Sequence, residues 1–251
     1  MSLVWIPNIL SLGNLFFGFT AMLAALRGRF DLAIVFVFIS MVLDMFDGRV
    51  ARMIKRDNPI GKDLDSFADM ISFGVVPGVV FYAAFLGQVP LEGCRTVFDH
   101  SSNLSHLLVG SFSFIFPVAA AIRLARFNVS GGEGSFQGCP SPVAGGTLVL
   151  LIGFNRVPAF FAGDGGFMQV LNFAIPCYLL AVIFLLLAVL MVVPVTFAKV
   201  QLLSFSSFHS PGKLIFNVVM LLGLIFFFKF CLLAMAVVYI ASSLFRARNR
   251  G

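Results

Sequence analysis

Long apolar runs separated by short polar segments dominate the chain. Crossing the roughly 30 Å hydrocarbon core of a bilayer takes about 20 helical residues. Six runs reach that length, at about 8–27, 31–54, 61–87, 104–127, 142–162 and 169–195. We predict a transmembrane helix in each run. A further run, from about Leu214 to Phe245, is too long for one ordinary span and short for two, and Lys229 is its only charged residue.

The distribution of basic residues predicts the topology, because cytoplasmic loops are enriched in Lys and Arg. An even number of spans with both termini in the cytoplasm places most of the 17 basic residues inside, including Arg246, Arg248 and Arg250. We therefore expect eight helices, the last two short and meeting near Lys229, and a single tilted helix is the alternative. The domain prediction is one integral inner-membrane domain over 1–251, with a six-helix core over 1–195 and a cytoplasmic loop and C-terminal helices over 196–251.

Composition supports a membrane bundle and narrows the function classes. The chain is 60% hydrophobic with 32 Phe and only 11% charged residues, which is typical of packed membrane spans. The net charge of +6 does not indicate nucleic-acid binding, because the basic residues lie in ones and twos at span ends. Residues 1–7 lack a basic stretch and a cleavage site, so we expect the first span to be retained. Wide spacing predicts four free thiols, at Cys94, Cys139, Cys177 and Cys231.

Candidate chemistry is concentrated in one acidic array, D-x2-D-G-x2-A-R-x8-G-x3-D-x3-D, whose carboxylates are Asp44, Asp47, Asp65 and Asp69. A carboxylate at bilayer depth costs roughly 3 kcal/mol unless a cation or water compensates it. Spacings of three and four residues place each pair on one helix face. The first pair ends span two and the second opens span three, so antiparallel packing should gather all four near the inner interface. Asp57 and Asp63, nearby, are expected to be solvated helix-end residues.

Four clustered carboxylates favour a hard divalent cation such as Mg²⁺, Mn²⁺ or Ca²⁺, which is usually held together with substrate phosphates. The small residues Gly48 and Ala51 leave room for a ligand beside the helix, Arg52 can bind a phosphate through two N–H groups, and Gly61 gives the chain freedom before the second pair. A different class of function is also compatible with intramembrane acids, namely a cation transporter or channel.

The array resembles the signature of the CDP-alcohol phosphotransferases and matches it at every specified position: Asp44, Asp47, Gly48, Ala51, Arg52, Gly61, Asp65 and Asp69. The resemblance implies an all-α, six-helix membrane core that transfers a phosphate-linked group from a CDP-activated donor to a hydroxyl acceptor and releases CMP. It further implies that the four aspartates bind two divalent ions, with Mg²⁺ or Mn²⁺ as the expected metal and Ca²⁺ as the alternative. Asp69 is the implied general base. The implied contacts to cytidine diphosphate are Asp47, Gly48, Ala51, Arg52, Gly61 and Asp65, with Asn8 as a further candidate. Homodimers are usual in the resembled family.

Four more segments narrow the resemblance: IPNILSLGNLFFGF, DSFADMISFGVVPG, RLARFNV and GCPSPVAGG. Together they are similar to the bacterial and archaeal phosphatidylserine synthase branch over roughly the first 150 residues, with Ser11 where Thr is expected and Cys139 where an aliphatic residue is commoner. This branch implies CDP-diacylglycerol as the donor and L-serine as the acceptor.

Serine carries a carboxylate and an ammonium group, so its pocket needs a cation and hydrogen-bonding groups. Arg123, Arg126 and Asn128 are the candidates at the inner end of span four. The alternative interpretation of the two arginines is that they only anchor the helix at the positive inner face. The same chemistry with inositol, glycerol phosphate or choline as the acceptor is the alternative function.

Overall fold

The structure, a computed structural model, describes residues 5–54, 59–86, 103–129, 138–156 and 176–193, and its regular structure in these residues is entirely helical. The elements in chain order are α1 (Trp5–Leu26), α2 (Phe30–Ile54), α3 (Pro59–Met70), a π-helical turn (Ile71–Val75), α4 (Val76–Leu86), α5 (Asn103–Ser113), α6 (Ile115–Val129), α7 (Ser141–Arg156) and α8 (Cys177–Val192).

Each of the six predicted spans up to residue 195 contains at least one of these helices, which confirms the all-α membrane bundle. Three continuous helical stretches are long and apolar enough to cross a bilayer: Pro7–Leu26, Ile60–Leu86 and Asn103–Val129. Helix α2 is as long, but it carries Asp31, Asp44 and Asp47. Helices α7 and α8 are apolar and shorter. The ambiguous run from Leu214 to Phe245 lies outside the described residues, so the two C-terminal helices and the boundary at residue 195 stay predictions.

Helix α1 has two opposite faces, and their polarity is the reverse of that in a soluble protein. Large apolar side chains recur every three or four residues on the exposed face, at Trp5, Ile9, Leu12, Phe16, Phe19 and Leu23. Polar and small residues with the same period are buried, at Asn8, Ser11, Asn14, Gly18 and Ala21. Apolar side chains facing outward suit hydrocarbon, and small or polar side chains facing inward suit close contact between membrane helices.

The packing of α1 and α2 brings the two halves of the acidic array together. A short turn joins these helices through Gly28, whose φ of 72° lies in the left-handed region that favours glycine. Arg29 pairs with Asp31 in the first turn of α2 at 3.0 Å. Helix α1 also packs against α3, the π turn and α4, while α2 contacts α7 and α6 contacts α8. The C-terminal end of α2 and the start of α3 therefore meet against one end of α1.

Glycines allow two unusually close helix contacts around α4. The Phe73 carbonyl would bond to the N–H of residue 77 in a regular α-helix, but Pro77 has no N–H, and the chain forms the π turn here. A Cβ added at Gly145 of α7 would lie 2.7 Å from the Phe73 oxygen, so only glycine fits. Likewise, a Cβ added at Gly78 would lie 2.7 Å from the Ser113 carbonyl oxygen of α5.

Aromatic rings join the helices on the other side of α4. Phe184 of α8 is fully buried, and its ring centroid lies 4.3 Å from that of Phe81 in α4. The rings of Phe112 and Phe116 lie 5.2 and 5.4 Å from Phe184. Offset aromatic pairs at these distances stabilise a core beyond the area that they bury.

The expectation of four free thiols is wrong for Cys177, which is disulfide-bonded, whereas Cys139 is free and buried. Spacing along the sequence excludes a clustered cysteine motif, but it does not show which distant cysteines a helical bundle brings together.

Candidate metal and substrate site

Three carboxylates meet between α2 and α3. Asp44 lies in the C-terminal half of α2, which ends at Ile54. Asp65 and Asp69 lie one turn apart on α3. One ligand oxygen from each of the three lies within 4.8 Å of the others. The three side chains are half-buried rather than solvated. Antiparallel packing thus gathers these residues as the sequence predicts.

Asp47 lies beside this triad and is only 3% exposed. Its carboxylate accepts a hydrogen bond from the Ser11 hydroxyl of α1 and lies within hydrogen-bonding reach of the Asp65 carboxyl group. The fourth aspartate therefore adjoins the triad through Asp65.

The triad has the properties of a cation site. Two ionised carboxylates 4.8 Å apart repel by about 3.5 kcal/mol at an effective dielectric constant of about 20. Asp65 Oδ1 is buried, and no described residue donates a hydrogen bond to it. A buried carboxylate oxygen without a donor is costly unless a cation binds it. The oxygen-only donor set fits a hard divalent ion such as Mg²⁺, Mn²⁺ or Ca²⁺.

Asn14 of α1 connects Asp69 to two serines. Its side-chain amide donates to Asp69 Oδ1 at 3.3 Å, and its side-chain oxygen accepts from the Ser40 hydroxyl of α2. The Ser72 hydroxyl, in the π turn, donates to the Asn14 main-chain carbonyl at 3.1 Å. Asn14, Ser40 and Ser72 are all fully buried, so this network reaches Asp69 from inside the bundle.

The candidate nucleotide contacts fall at the same end of the bundle. Asn8 is buried near the start of α1, one turn before Ser11. Gly48 follows Asp47 on α2, and a Cβ added there would meet no atom of the described residues within 4 Å. Gly61 lies in the first turn of α3. Ala51 and Arg52 belong to the last turns of α2, and their side chains lie outside the described part of the chain.

The three serine-site candidates have different surroundings. Arg123 is 8% exposed, donates to the Ser141 hydroxyl at 2.6 Å, and lies close enough to Asp44 and Asp69 to interact with them electrostatically. Arg126 is exposed and donates to the Val192 carbonyl at the end of α8, at 2.7 Å.

Asn128 is also exposed, and it donates to the Ser66 hydroxyl of α3 at 3.2 Å. Among the three candidates, Arg123 is the residue that is buried beside the carboxylates.

Cys139 also lies near Arg123, but it does not offer a nucleophile. Burial raises the pKa of its thiol to about 12, although the Arg123 charge partly opposes this shift. The thiol is therefore protonated at neutral pH, and the thiolate is the reactive form.

Sequence reasoning did not find the groups that hold the aspartates, namely Ser11, Asn14, Ser40 and Ser72. A signal was present in α1, where polar residues recur on the helix face opposite the large apolar ones. Without the structure, nothing indicated which aspartate each of them would contact.

Comparison with known proteins agrees with the acidic array. Residues 4–245 match the family model for CDP-alcohol phosphatidyltransferase. A CDP-diacylglycerol--serine O-phosphatidyltransferase of Bacillus subtilis is 32% identical over 148 residues, which are 59% of this chain and 75% of the relative. The enzyme with the same name from Helicobacter pylori is 31% identical over 164 residues, 63% of this chain and 61% of the relative.

An archaetidylserine synthase of Methanothermobacter thermautotrophicus is 31% identical over 150 residues, covering 59% of this chain and 57% of the relative. The matched part of this chain thus spans three quarters of the Bacillus relative and less than two thirds of the other two. These findings confirm the resemblance drawn from the motif.

Proposed function

The chain belongs to the CDP-alcohol phosphatidyltransferase family, and on that premise we propose that it transfers the phosphatidyl group of CDP-diacylglycerol to the hydroxyl of L-serine. The products are phosphatidylserine and CMP. Relatives from Bacillus and Helicobacter bear the name of this serine-using activity, and the protein is a multi-pass membrane protein, as a lipid donor requires.

The observation that carries the proposal is the carboxylate triad, in which no described residue donates to the buried Asp65 Oδ1. Asp44, Asp65 and Asp69, with Asp47 beside them, would hold two divalent ions, Mg²⁺ or Mn²⁺. Bound there, the ions would neutralise the charge that develops on the leaving CMP and polarise the diphosphate.

Asp69 takes the proton of the acceptor hydroxyl in this proposal. Its Oδ1 accepts from Asn14, which helps to hold the carboxylate in one orientation and leaves the group's other lone pairs for the cation and the proton. General-base catalysis needs a positioned carboxylate within hydrogen-bonding reach of the hydroxyl. Asn14 therefore supports the assignment of Asp69 as the base.

The donor is bound by its cytidine diphosphate at the inner end of the bundle, through Asn8, Asp47, Gly48, Ala51, Arg52, Gly61 and Asp65. Gly48 supports this placement, because a Cβ added there would meet no atom of the described residues within 4 Å, and a small residue leaves room for a ligand beside the helix. The acyl chains stay in the bilayer, since moving them into water would expose a large apolar area. The donor therefore enters sideways, between helices.

The acceptor carboxylate binds Arg123 in this proposal. Arg123 is buried next to Asp44 and Asp69, so serine bound there would place its hydroxyl near the base. Arg126 contacts α8 and Asn128 contacts α3, and these contacts would hold the C-terminal end of α6 in place beside the serine site. These two residues would act at the edge of the pocket.

We place the site at the cytoplasmic side of the inner membrane, with both termini in the cytoplasm, because Lys62, Arg123 and Arg126 lie near the carboxylates. The two arginines in the turn at the opposite end of α1 are partly balanced by Asp31. We also propose a homodimer, which cross-linking in membranes would detect.

Incubating the purified protein with CDP-diacylglycerol, Mn²⁺ and each of serine, inositol, glycerol phosphate and choline tests the proposal. We expect serine to be the only one of the four alcohols that reacts, and the reaction to form CMP and phosphatidylserine in equal amounts. Arg123→Gln should raise the KM for serine at least tenfold and leave the KM for CDP-diacylglycerol within about twofold, whereas Arg126→Gln should change the serine KM less. CMP release with another alcohol and none with serine would overturn the acceptor assignment, and cation flux without CMP release would favour a transporter.

A further inference from the structure

Helix α1 directs two buried polar side chains at two different aspartates of the site. Ser11 and Asn14 lie three residues apart, on one face of the helix, and they are 1% and 0% exposed. Ser11 contacts Asp47 of α2, and Asn14 contacts Asp69 of α3. One helix face thus reaches both halves of the acidic array.

The Ser11 hydroxyl is committed to Asp47. It has a single proton and two acceptors in reach, the Asp47 carboxylate and the Pro7 carbonyl at 3.1 Å. A charged acceptor forms the stronger hydrogen bond, so the proton goes to Asp47. This bond fixes one carboxylate oxygen of Asp47 and leaves the group's other lone pairs for other ligands.

Asn14 is itself held on both sides. The Ser40 hydroxyl lies within hydrogen-bonding distance of its side-chain oxygen and, at 2.8 Å, of its main-chain carbonyl, and its NH₂ group donates to Asp69 Oδ1 at 3.3 Å. The Ser72 hydroxyl bonds its main-chain carbonyl at 3.1 Å. The amide is therefore oriented before any ligand arrives, and it can fix the orientation of Asp69.

Close helix contact makes these bonds possible. A Cβ added at Gly18, one turn after Asn14, would lie 2.9 Å from the Ser72 Cβ and 3.0 Å from its Cα. Glycine at this position lets α1 approach the π turn closely enough for Ser72 to reach Asn14.

We propose that Ser11 and Asn14 are positioning residues, which set Asp47 and Asp69 in the orientation that binds the divalent cation. The proposal rests on the proposed function for the cation itself, but not on the identity of the acceptor alcohol. Carboxylates that bind metals are commonly oriented by such outer hydrogen bonds, and removing one lowers metal affinity or activity by about 10- to 100-fold.

Ser11→Thr and Ser11→Val form a matched pair, because their side chains have nearly the same shape and differ in the hydroxyl. Mn²⁺ binding to the purified full-length protein, followed by electron paramagnetic resonance, gives a readout independent of turnover. We expect Ser11→Thr to bind Mn²⁺ within about threefold of the wild type and Ser11→Val to bind it at least tenfold more weakly. Equal affinities for the two variants would overturn the role of Ser11.

Asn14→Leu removes the amide donor at similar volume, and Thr20→Val is its control, since the Thr20 hydroxyl bonds the Phe16 carbonyl of its own helix at 2.8 Å. We expect Asn14→Leu to lower kcat by 10- to 100-fold with the KM for CDP-diacylglycerol within about twofold, and Thr20→Val to keep both constants. An unchanged kcat, or a rise in KM with kcat constant, would exclude the role of Asn14. Should Asn14→Leu not fold, the Ser11 pair decides the proposal.

The outcomes separate this proposal from the proposed function. If the wild type binds Mn²⁺ with the expected variant pattern but makes no phosphatidylserine, the acceptor assignment fails and the positioning role stands. If the wild type binds no Mn²⁺, the cation site fails, and the positioning role is overturned with it.

Discussion

Replacing Asp65 by Asn should stabilise the metal-free protein and abolish its stabilisation by metal. In the triad, Asp65 repels both Asp44 and Asp69, whose ligand oxygens lie within 4.8 Å. Each ionised pair at that distance costs about 3.5 kcal/mol at an effective dielectric constant of about 20, so two fully ionised pairs cost about 7 kcal/mol. Proton uptake by the carboxyl groups reduces this repulsion. A gain of about 1 to 2 kcal/mol corresponds to a rise of about 2–8 °C in the unfolding midpoint for a chain of this size.

Metal should stabilise the wild type and have little effect on the stability of the Asp65→Asn variant. At a free Mn²⁺ concentration of 100 times its Kd, binding stabilises the wild type by about 2.7 kcal/mol, which is about 5–11 °C in the midpoint. Asp65→Asn removes the carboxylate whose buried oxygen has no donor among the described residues, so it should lose most of that shift. The variant is thus expected to be the more stable protein in EDTA and to lose this advantage when Mn²⁺ is added.

Thermal unfolding of the detergent-solubilised protein, with EDTA and with Mn²⁺, measures both effects. Asp63→Asn is the matched control, because Asp63 is exposed on the same helix and lies outside the triad. The control should behave like the wild type under both conditions. If Asp65→Asn were less stable than Asp63→Asn in EDTA, or kept the full Mn²⁺ shift, the reasoning about the triad would be refuted.

Three other substitutions test separate parts of the account. Asp69→Asn should reduce CMP release by at least about 10²-fold, the lower range for general-base catalysis, while the protein still folds with a metal-free unfolding midpoint at or above that of the wild type, because this change also removes a charge from the triad; unchanged turnover would remove Asp69 from the base role. Gly48→Ala adds a Cβ that meets no atom within 4 Å in the described part of the chain, so it should leave stability unchanged or higher by up to about 1 kcal/mol while raising the KM for CDP-diacylglycerol; an unchanged KM would count against nucleotide contact. Gly145→Ala should destabilise the bundle by about 1–3 kcal/mol, because its Cβ would lie 2.7 Å from the Phe73 oxygen. Gly110→Ala is the control, since its Cβ would meet no atom of the described residues within 4 Å. Equal unfolding midpoints for the two variants would contradict the close contact.

Much of the fold was predictable because membrane spans impose a length and a polarity that a sequence shows directly. The run at 8–27 predicts a helix at nearly the position of α1, and the run at 31–54 matches α2. The π turn in the third span was not predictable from hydropathy. It depends on Pro77 and on the approach of Gly145, which come together only in the bundle.

The site was predictable in part for a similar reason. Helical spacing places Asp65 and Asp69 on one face, and an antiparallel neighbour brings Asp44 to them. The sequence could not rank Arg123 above Arg126, because both lie at the inner end of the same span and only packing buries one of them. It also could not assign Ser11 to Asp47, since that contact depends on how α1 is rotated against α2.

The central claim is that Asp44, Asp65 and Asp69 bind a divalent cation that engages the donor's diphosphate. Anomalous X-ray diffraction at the manganese edge, from the protein with Mn²⁺ and CDP-diacylglycerol bound, tests it most directly. The account predicts anomalous density between these three side chains, in contact with phosphate oxygens. Density elsewhere in the bundle, or nucleotide bound with no cation between the carboxylates, would contradict it.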